Sequence, residues 1–208
     1  TRLAGFRLTA PASELSIPDL IFVYPRWNAF NNYVEEVELQ LSPTRSRVAF
    51  RTVGWFAPGL KKWQSVVRLD GRIDGTVAAL TGRFDDAVIG ETLLDARFSI
   101  TGLPDIRQTR FVLDLPDLST HSADAALILE DFTGKTLGES AQILSRLETI
   151  RLTGRFDGLL TDFMADGRLR TTPGDVDFTV RLNPEEGGRT HLDGNIALEN
   201  FALGTLLA

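Results

Sequence analysis

The chain has no cysteine among its 208 residues. That excludes a disulfide framework and a thiol nucleophile, and is compatible with an oxidising compartment without requiring one. No apolar run approaches the roughly 18–20 residues needed to cross a bilayer as a helix. Histidine is scarce: His121 and His191 each lack a second histidine, or a carboxylate on the same strand face, at metal-ligand spacing, so no metal site is expected. There is no G-x-S-x-G elbow, Walker loop or G-x-G-x-x-G, and Ser140 falls in a predicted helix without a companion base. Neither enzymatic activity nor a cofactor is expected. A net charge of −6 and a pI near 5.0 argue against nucleic acid and against broad adhesion to anionic head groups, but leave the apolar part of a lipid open as a ligand. The chain shows no initiator methionine or signal peptide and closes on the apolar segment 201–208, so it reads as an internal piece of a longer protein.

What is present is repetition. Ile150-Arg151-Leu152-Thr153-Gly154-Arg155-Phe156-Asp157-Gly158 restates Val67-Arg68-Leu69-Asp70-Gly71-Arg72-Ile73-Asp74-Gly75 at Arg, Leu, Gly, Arg, Asp and Gly. Its centre recurs in Leu80-Thr81-Gly82-Arg83-Phe84-Asp85, and a diluted copy stands at Leu192-Asp193-Gly194-Asn195-Ile196. A repeated alternating strand with glycine on its apolar side is a building unit rather than a catalytic motif.

Period-2 alternation runs through most of the chain. Phe6–Leu8 and Leu15–Ile17 predict two short opening strands separated by Pro11. Residues 20–24 form an apolar run, Val37, Leu39 and Leu41 share a face, and Ser42-Pro43-Thr44 turns the chain towards Val48 and Phe50. Trp55, Phe56 and Trp63 around Pro58-Gly59 suggest an aromatic corner. From Val67 to Val77 the odd positions are apolar or glycine, and the even ones carry charges of alternating sign suited to pairing with a neighbouring strand. Strands follow over 94–100, 111–115, 150–160, 163–169, 176–182 and 192–198. Between 122 and 148 the period lengthens to three and four, predicting two short helices with Ser122 as N-cap. Asp85-Asp86, Asp105 and Asp117 fit turns, where Asp bonds its own backbone. About ten strands with so few helices must curl or fold over to cover their apolar faces. Glycines 71, 75, 82, 154, 158, 167 and 194 favour curling.

Further along, Gly102-Leu103-Pro104-Asp105 before the strand 110–115 resembles the TamB (translocation and assembly module) family of the AsmA-like group. So do Ser122-Ala123-Asp124, the segments 147–158 and 169–178, and the closing 200–207. The likeness covers roughly residues 66–208 and has the character of versions from Bacteroidetes-like bacteria. It implies an internal segment of an inner-membrane-anchored periplasmic protein of a Gram-negative bacterium. In that family an elongated β-groove is thought to move phospholipid between membranes and to serve outer-membrane assembly with a BamA-like partner. That partner's contacts, and the anchor, are expected outside this segment.

The expectation is therefore an all-β fold: a long curled, mainly antiparallel sheet forming an open hydrophobic groove, with a helical insert near 122–148. It divides into an N-terminal β segment with an aromatic corner (1–66) and a repeat-like groove segment (67–208), the two expected to form one continuous piece of a longer protein. Leu69, Ile73, Val77, Phe98, Phe111, Leu113, Ile150, Leu152, Phe156, Phe163, Phe178, Val180, Leu192 and Ile196 are the expected groove lining, with phospholipid acyl chains as ligand. The rivals are a carbohydrate-binding sandwich using Trp27, Trp55 and Trp63, a structural β spacer, and a metal-dependent hydrolase built on Asp70, Asp74 and Asp85.

Overall fold

A computed structural model describes residues 1–54, 61–184, 190–202 and 204. The expected corner at 55–59, the turn at 185–188 and most of the closing segment lie outside them; Trp63 is described.

Twelve strands form one sheet: β1 (Arg2–Ala10), β2 (Ser13–Val23), β3 (Glu38–Leu41), β4 (Ser46–Ala49), β5 (Val66–Thr76), β6 (Ala79–Ile89), β7 (Thr92–Thr101), β8 (Arg110–His121), β9 (Thr149–Leu159), β10 (Asp162–Thr171), β11 (Gly174–Pro184) and β12 (Thr190–Glu199). Every pairing is antiparallel, and apart from β4, which bridges β2 and β5, the strands lie side by side in chain order. The sheet passes through residue 66 without a break, because β3 and β4 both pair with β5. Short helices α1 (Tyr33–Glu36) and α2 (Phe50–Val53) accompany the first strands, after a 3-10 turn at Trp27–Asn32. The insert between β8 and β9 is α3 (Ser122–Thr133) and α4 (Glu139–Ser145).

The long strands form because β-branched and aromatic residues alternate with charged ones, and tight connections join them into consecutive hairpins. Val77 belongs to one of these connections. It lies in the two-residue turn after Thr76, the last residue of β5, and not on a strand face. The opening also differs from expectation: β2 is one eleven-residue strand through Pro18, paired with β1 on both sides of that proline.

Asp85, Asp86 and Asp117 are not turn residues. The register shows β6 carrying one extra residue within 85–87 against both β5 and β7, and β8 one extra within 115–117 against both β7 and β9. These are β-bulges lying in line across five strands. Asp86, at φ +52°, donates its backbone N–H to Asp95 Oδ1 at 2.8 Å. A bulge bends its strand and shifts side-chain alternation by one. So Ala87 and Ile89 rejoin the face of Phe84, and Leu118 and Thr120 that of Leu115.

Glycine on the apolar face makes room for rings. A Cβ on Gly82 would stand 2.5 Å from Phe98 Cζ and 2.5 Å from the Arg72 carbonyl oxygen, and one on Gly167 would meet Phe178 Cζ at 3.0 Å. Each phenyl thus lies over the glycine of the preceding strand. Gly82→Ala is expected to lower stability by about 1–3 kcal/mol, the usual cost of overpacking. A denaturant midpoint unchanged from the parent chain would contradict this ring-over-glycine packing.

Candidate functional site

The cross-strand register assembles one continuous apolar face. One row runs Leu3, Leu20, Leu41, Ile73, Gly82, Phe98, Leu113, Phe156, Ala165, Val180 and Gly194. It crosses eleven strands without a polar side chain. The next row is Phe22, Leu39, Gly75, Leu80, Ile100, Phe111, Gly158, Phe163, Leu182 and Leu192. At about 4.8 Å between strands, the first row is about 48 Å long. Leu152, Phe178 and Ile196 belong to rows beside these, Ile150 and Leu69 to the covered end. Of the fourteen residues expected together, the register brings thirteen onto this face. Val77, in its turn, is the exception.

Coverage of the face is uneven. Val67, Leu69 and Ala87 are buried, with Val48, Phe50, Phe84, Ile89 and Leu94 packed around them. Nearby, buried Thr92 and Thr120 bond through their hydroxyls at 2.6 Å. Further along the sheet this cover is lost. No residue of β10, β11 or β12 is buried, and Leu192 and Ile196 are 65% and 70% exposed. The chain as a whole exposes 13059 Å², against about 9,600 Å² for a compact monomer of this mass. A single layer accounts for the difference: among the described residues, the apolar face is half-buried over most of β8–β11 and exposed on β12, with burial at Thr120 and Ile150 only at the end of β8 and β9 next to the helical insert.

The opposite face carries the charges, paired across neighbouring strands at Arg2–Asp19, Arg97–Asp114, Arg110–Asp157 and Arg168–Asp177 but not on β5 and β6. Arg72, Arg83 and Arg97 stand directly opposite one another on β5, β6 and β7, and like charges so placed repel. Arg72 and Arg83 find their carboxylates two residues along their own strands, at Asp74 (2.7 Å) and Asp85 (3.4 Å). Arg97 reaches across to Asp114 at 3.4 Å. Arg168 is surrounded by Asp177, Glu199 and Asp175, which hold its guanidinium above its ordinary value, Asp177 and Glu199 most strongly. These ion pairs are exposed and contribute little to stability.

Helix α3 is latched to the covered end by carboxylates. Ser122 is its first residue rather than its N-cap; that position is His121, without a side-chain cap bond. Asp124 instead accepts the Glu91 backbone N–H in the β6–β7 turn. Asp131 accepts the N–H groups of Gln64 (3.1 Å) and Ser65 (2.9 Å) and the Ser65 hydroxyl. Gly134, left-handed at φ +66°, closes the helix by donating to the Glu130 carbonyl. Beneath lies a recess of about 450 Å³ lined in part by Ser65, Val66, Ile89, Leu127 and Ile128.

The tryptophans of the carbohydrate reading are dispersed, whereas Asp70 and Asp85 of the hydrolase reading stand opposite each other on β5 and β6 but are engaged elsewhere. Trp27 sits 75% exposed beside Tyr24 and Phe30, Trp63 packs edge-on against Phe50 at 5.1 Å, and Trp55 lies outside the described residues. Asp74 and Asp85 are each paired with an arginine, and Asp70 accepts the Arg45 backbone N–H at 2.8 Å. Among the described residues no cluster of three or more His, Cys, Asp or Glu could hold a metal ion, and no helix is long and apolar enough to cross a membrane.

Partial burial tends to raise the Asp131 pKa, but the bonds from Ser65 Oγ and the two backbone N–H groups outweigh it and leave the value below the ordinary 3.8. A folded-state value below the unfolded one stabilises above the unfolded pKa and ceases to do so as pH falls through the folded one. Protection of the amides over residues 122–133, relative to their intrinsic exchange rates, is thus expected to fall as pH drops below 3.8, and Asp131→Ala to be less protected already at neutral pH with less of this acid response. Identical acid profiles for the two chains would exclude the latch.

Comparison with protein-family models, with curated proteins and with solved structures found no match.

Proposed function

We propose that this chain is a segment of a TamB-like protein of the AsmA-like group. Its apolar face would carry phospholipid acyl chains across the periplasm between the inner and outer membranes. The observation that carries this reading is the pair of apolar rows crossing the sheet, half-buried over β8–β11, exposed on β12 and backed by a charged outer face.

The physics favours conduction over capture. An acyl chain of fourteen methylenes exposed to water costs on the order of 11 kcal/mol, at about 0.8 kcal/mol per CH₂. Contact with Leu, Ile, Val and Phe removes much of that cost. Because the attraction is non-directional, successive positions along a row bind almost equally, and the chain slides rather than lodges. The charged head group stays at the rim, in water. No bond is made or broken, so the reading requires no general base, nucleophile or metal. On the same reading the chain is the periplasmic portion of an inner-membrane-anchored protein, and a BamA-like outer-membrane protein meets parts of it beyond this segment.

Organic extracts of the purified chain are expected to contain phospholipid. Phe178→Asp, which places a charge in the half-buried part of the face, should reduce the lipid recovered several-fold while lowering the unfolding free energy by only about 1–2 kcal/mol. Thr179→Asp, on the opposite face, should retain the parent's lipid. Lipid-free parent protein, or equal recovery from both variants, would overturn the proposal.

A further inference from the structure

The strand ends bound the apolar face on two sides, and the two rims are unlike. One rim is formed by the strand ends beside the helical insert, and there the chain is drawn together. Asp124 and Asp131 tie α3 to the β6–β7 turn and to the residues just before β5. The Ser122 N–H donates to the Glu148 carbonyl at 2.8 Å, and the Thr172 N–H to the Leu147 carbonyl at 3.2 Å. Every buried residue of β5–β9 lies at the bulges or on the insert side of them, Val67, Ala87, Thr120 and Ile150 among them. The opposite rim consists of the turn Val77-Ala78, the loop 102–109 and the turn Leu160-Thr161. Leu160 is 40% exposed, and on that side of the bulges the residues of β5–β9 are half-buried or exposed.

The apolar face also ends differently at the two rims. On β10 it runs through Phe163, Ala165, Gly167 and Leu169 and stops at Thr171. The four apolar positions extend about 20 Å from first to last. The row of Thr171 continues through Ile150 to Thr120 and Thr92. Its hydroxyls are satisfied within the chain: Thr92 and Thr120 bond each other at 2.6 Å, and Thr171 donates to the Gly174 carbonyl at 2.6 Å. A charged group brought to this rim would lose its water and find none of these hydroxyls free, which is costly. Phe163, at the other end, adjoins the exposed β9–β10 turn.

We propose that phospholipid lies crosswise on the sheet, its tails pointing towards the insert and its head group over the rim of turns 77–78 and 160–161 and loop 102–109. This rests on the reading of the face as a lipid carrier and adds the orientation of the ligand on it. The dimensions agree: one leaflet of a bilayer contains about 15 Å of hydrocarbon, which fits between the open rim and the threonine row. Tails set this way lie along the strands, and neighbouring positions repeat at each strand. A lipid passing from strand to strand keeps its head group on one rim, in water, throughout. Reversed, it would press its phosphate against the buried threonines.

The chain has no cysteine of its own, so single cysteines can report on each end of the face. Phe163→Cys and Leu169→Cys place a small fluorophore at the open and insert ends of β10, and Phe111→Cys and Leu118→Cys do the same on β8, should either β10 substitution disturb folding. Phospholipid with a nitroxide near the carboxyl end of its acyl chain is expected to quench labels at 163 and 111 at least about two-fold more than those at 169 and 118, about 20 Å away. With the nitroxide near the methyl end the order should invert. A ratio unaffected by nitroxide position, or one that changes in the opposite sense, would overturn the orientation while leaving the face a lipid carrier. Quenching at none of the four sites would overturn both.

Discussion

One layer of antiparallel strands has two faces, and this chain has side chains enough to cover only part of one. Hydrogen bonding satisfies the backbone between neighbouring strands, so the sheet persists without a second layer. What it cannot do is bury half of each strand's side chains. Everything distinctive about the molecule follows: the excess exposed area, the half-buried rows, and the concentration of buried side chains near β4–β7 and the first strands. The structure manages this constraint with glycine. Where Gly82 or Gly167 removes a Cβ, the phenyl of Phe98 or Phe178 lies down over the neighbouring strand. Rings gain contacts within the layer that a sandwich would have supplied from the opposite sheet. The line of bulges through β5–β9 adds curvature, and charged residues keep the other face in water.

Much of this architecture was legible from alternation alone. The repeat in β5 and β9 marks equivalent strands, with Gly71 and Gly154, or Ile73 and Phe156, in matching positions on one face. The change of period between 122 and 148 locates α3 and α4. Face assignment survives because period 2 is robust inside a strand, and thirteen of the fourteen expected residues indeed share a side.

The failures have a common physical cause: local patterns do not reveal what a neighbouring strand does. Asp85-Asp86 and Pro116-Asp117 carry the residue types of turns, yet both occur in mid-strand, because an extra residue is accommodated as a bulge when its neighbours stay in register. Val77 continues the alternation on paper but falls just beyond Thr76, where β5 gives way to the turn. Alternating Arg and Asp suggested salt bridges between strands. Such bridges form at Arg97–Asp114, Arg110–Asp157 and Arg168–Asp177, but on β5 and β6 register aligns Arg72 with Arg83, so these two turn to carboxylates on their own strands. Nor could composition show that cover would fail towards β12, since Leu192 and Ile196 look like core residues in sequence. Exposure is a property of what packs above them.

The central claim is that the uncovered rows hold acyl chains while the reverse face of the same strand does not. Single cysteines placed at Phe178 and at adjacent Thr179, labelled with a small fluorophore, report on the two faces separately in this cysteine-free chain. On addition of phospholipid carrying a nitroxide within its acyl chain, the label at 178 should be strongly quenched and the label at 179 left bright. Equal quenching at both sites, or none at 178, would contradict the account.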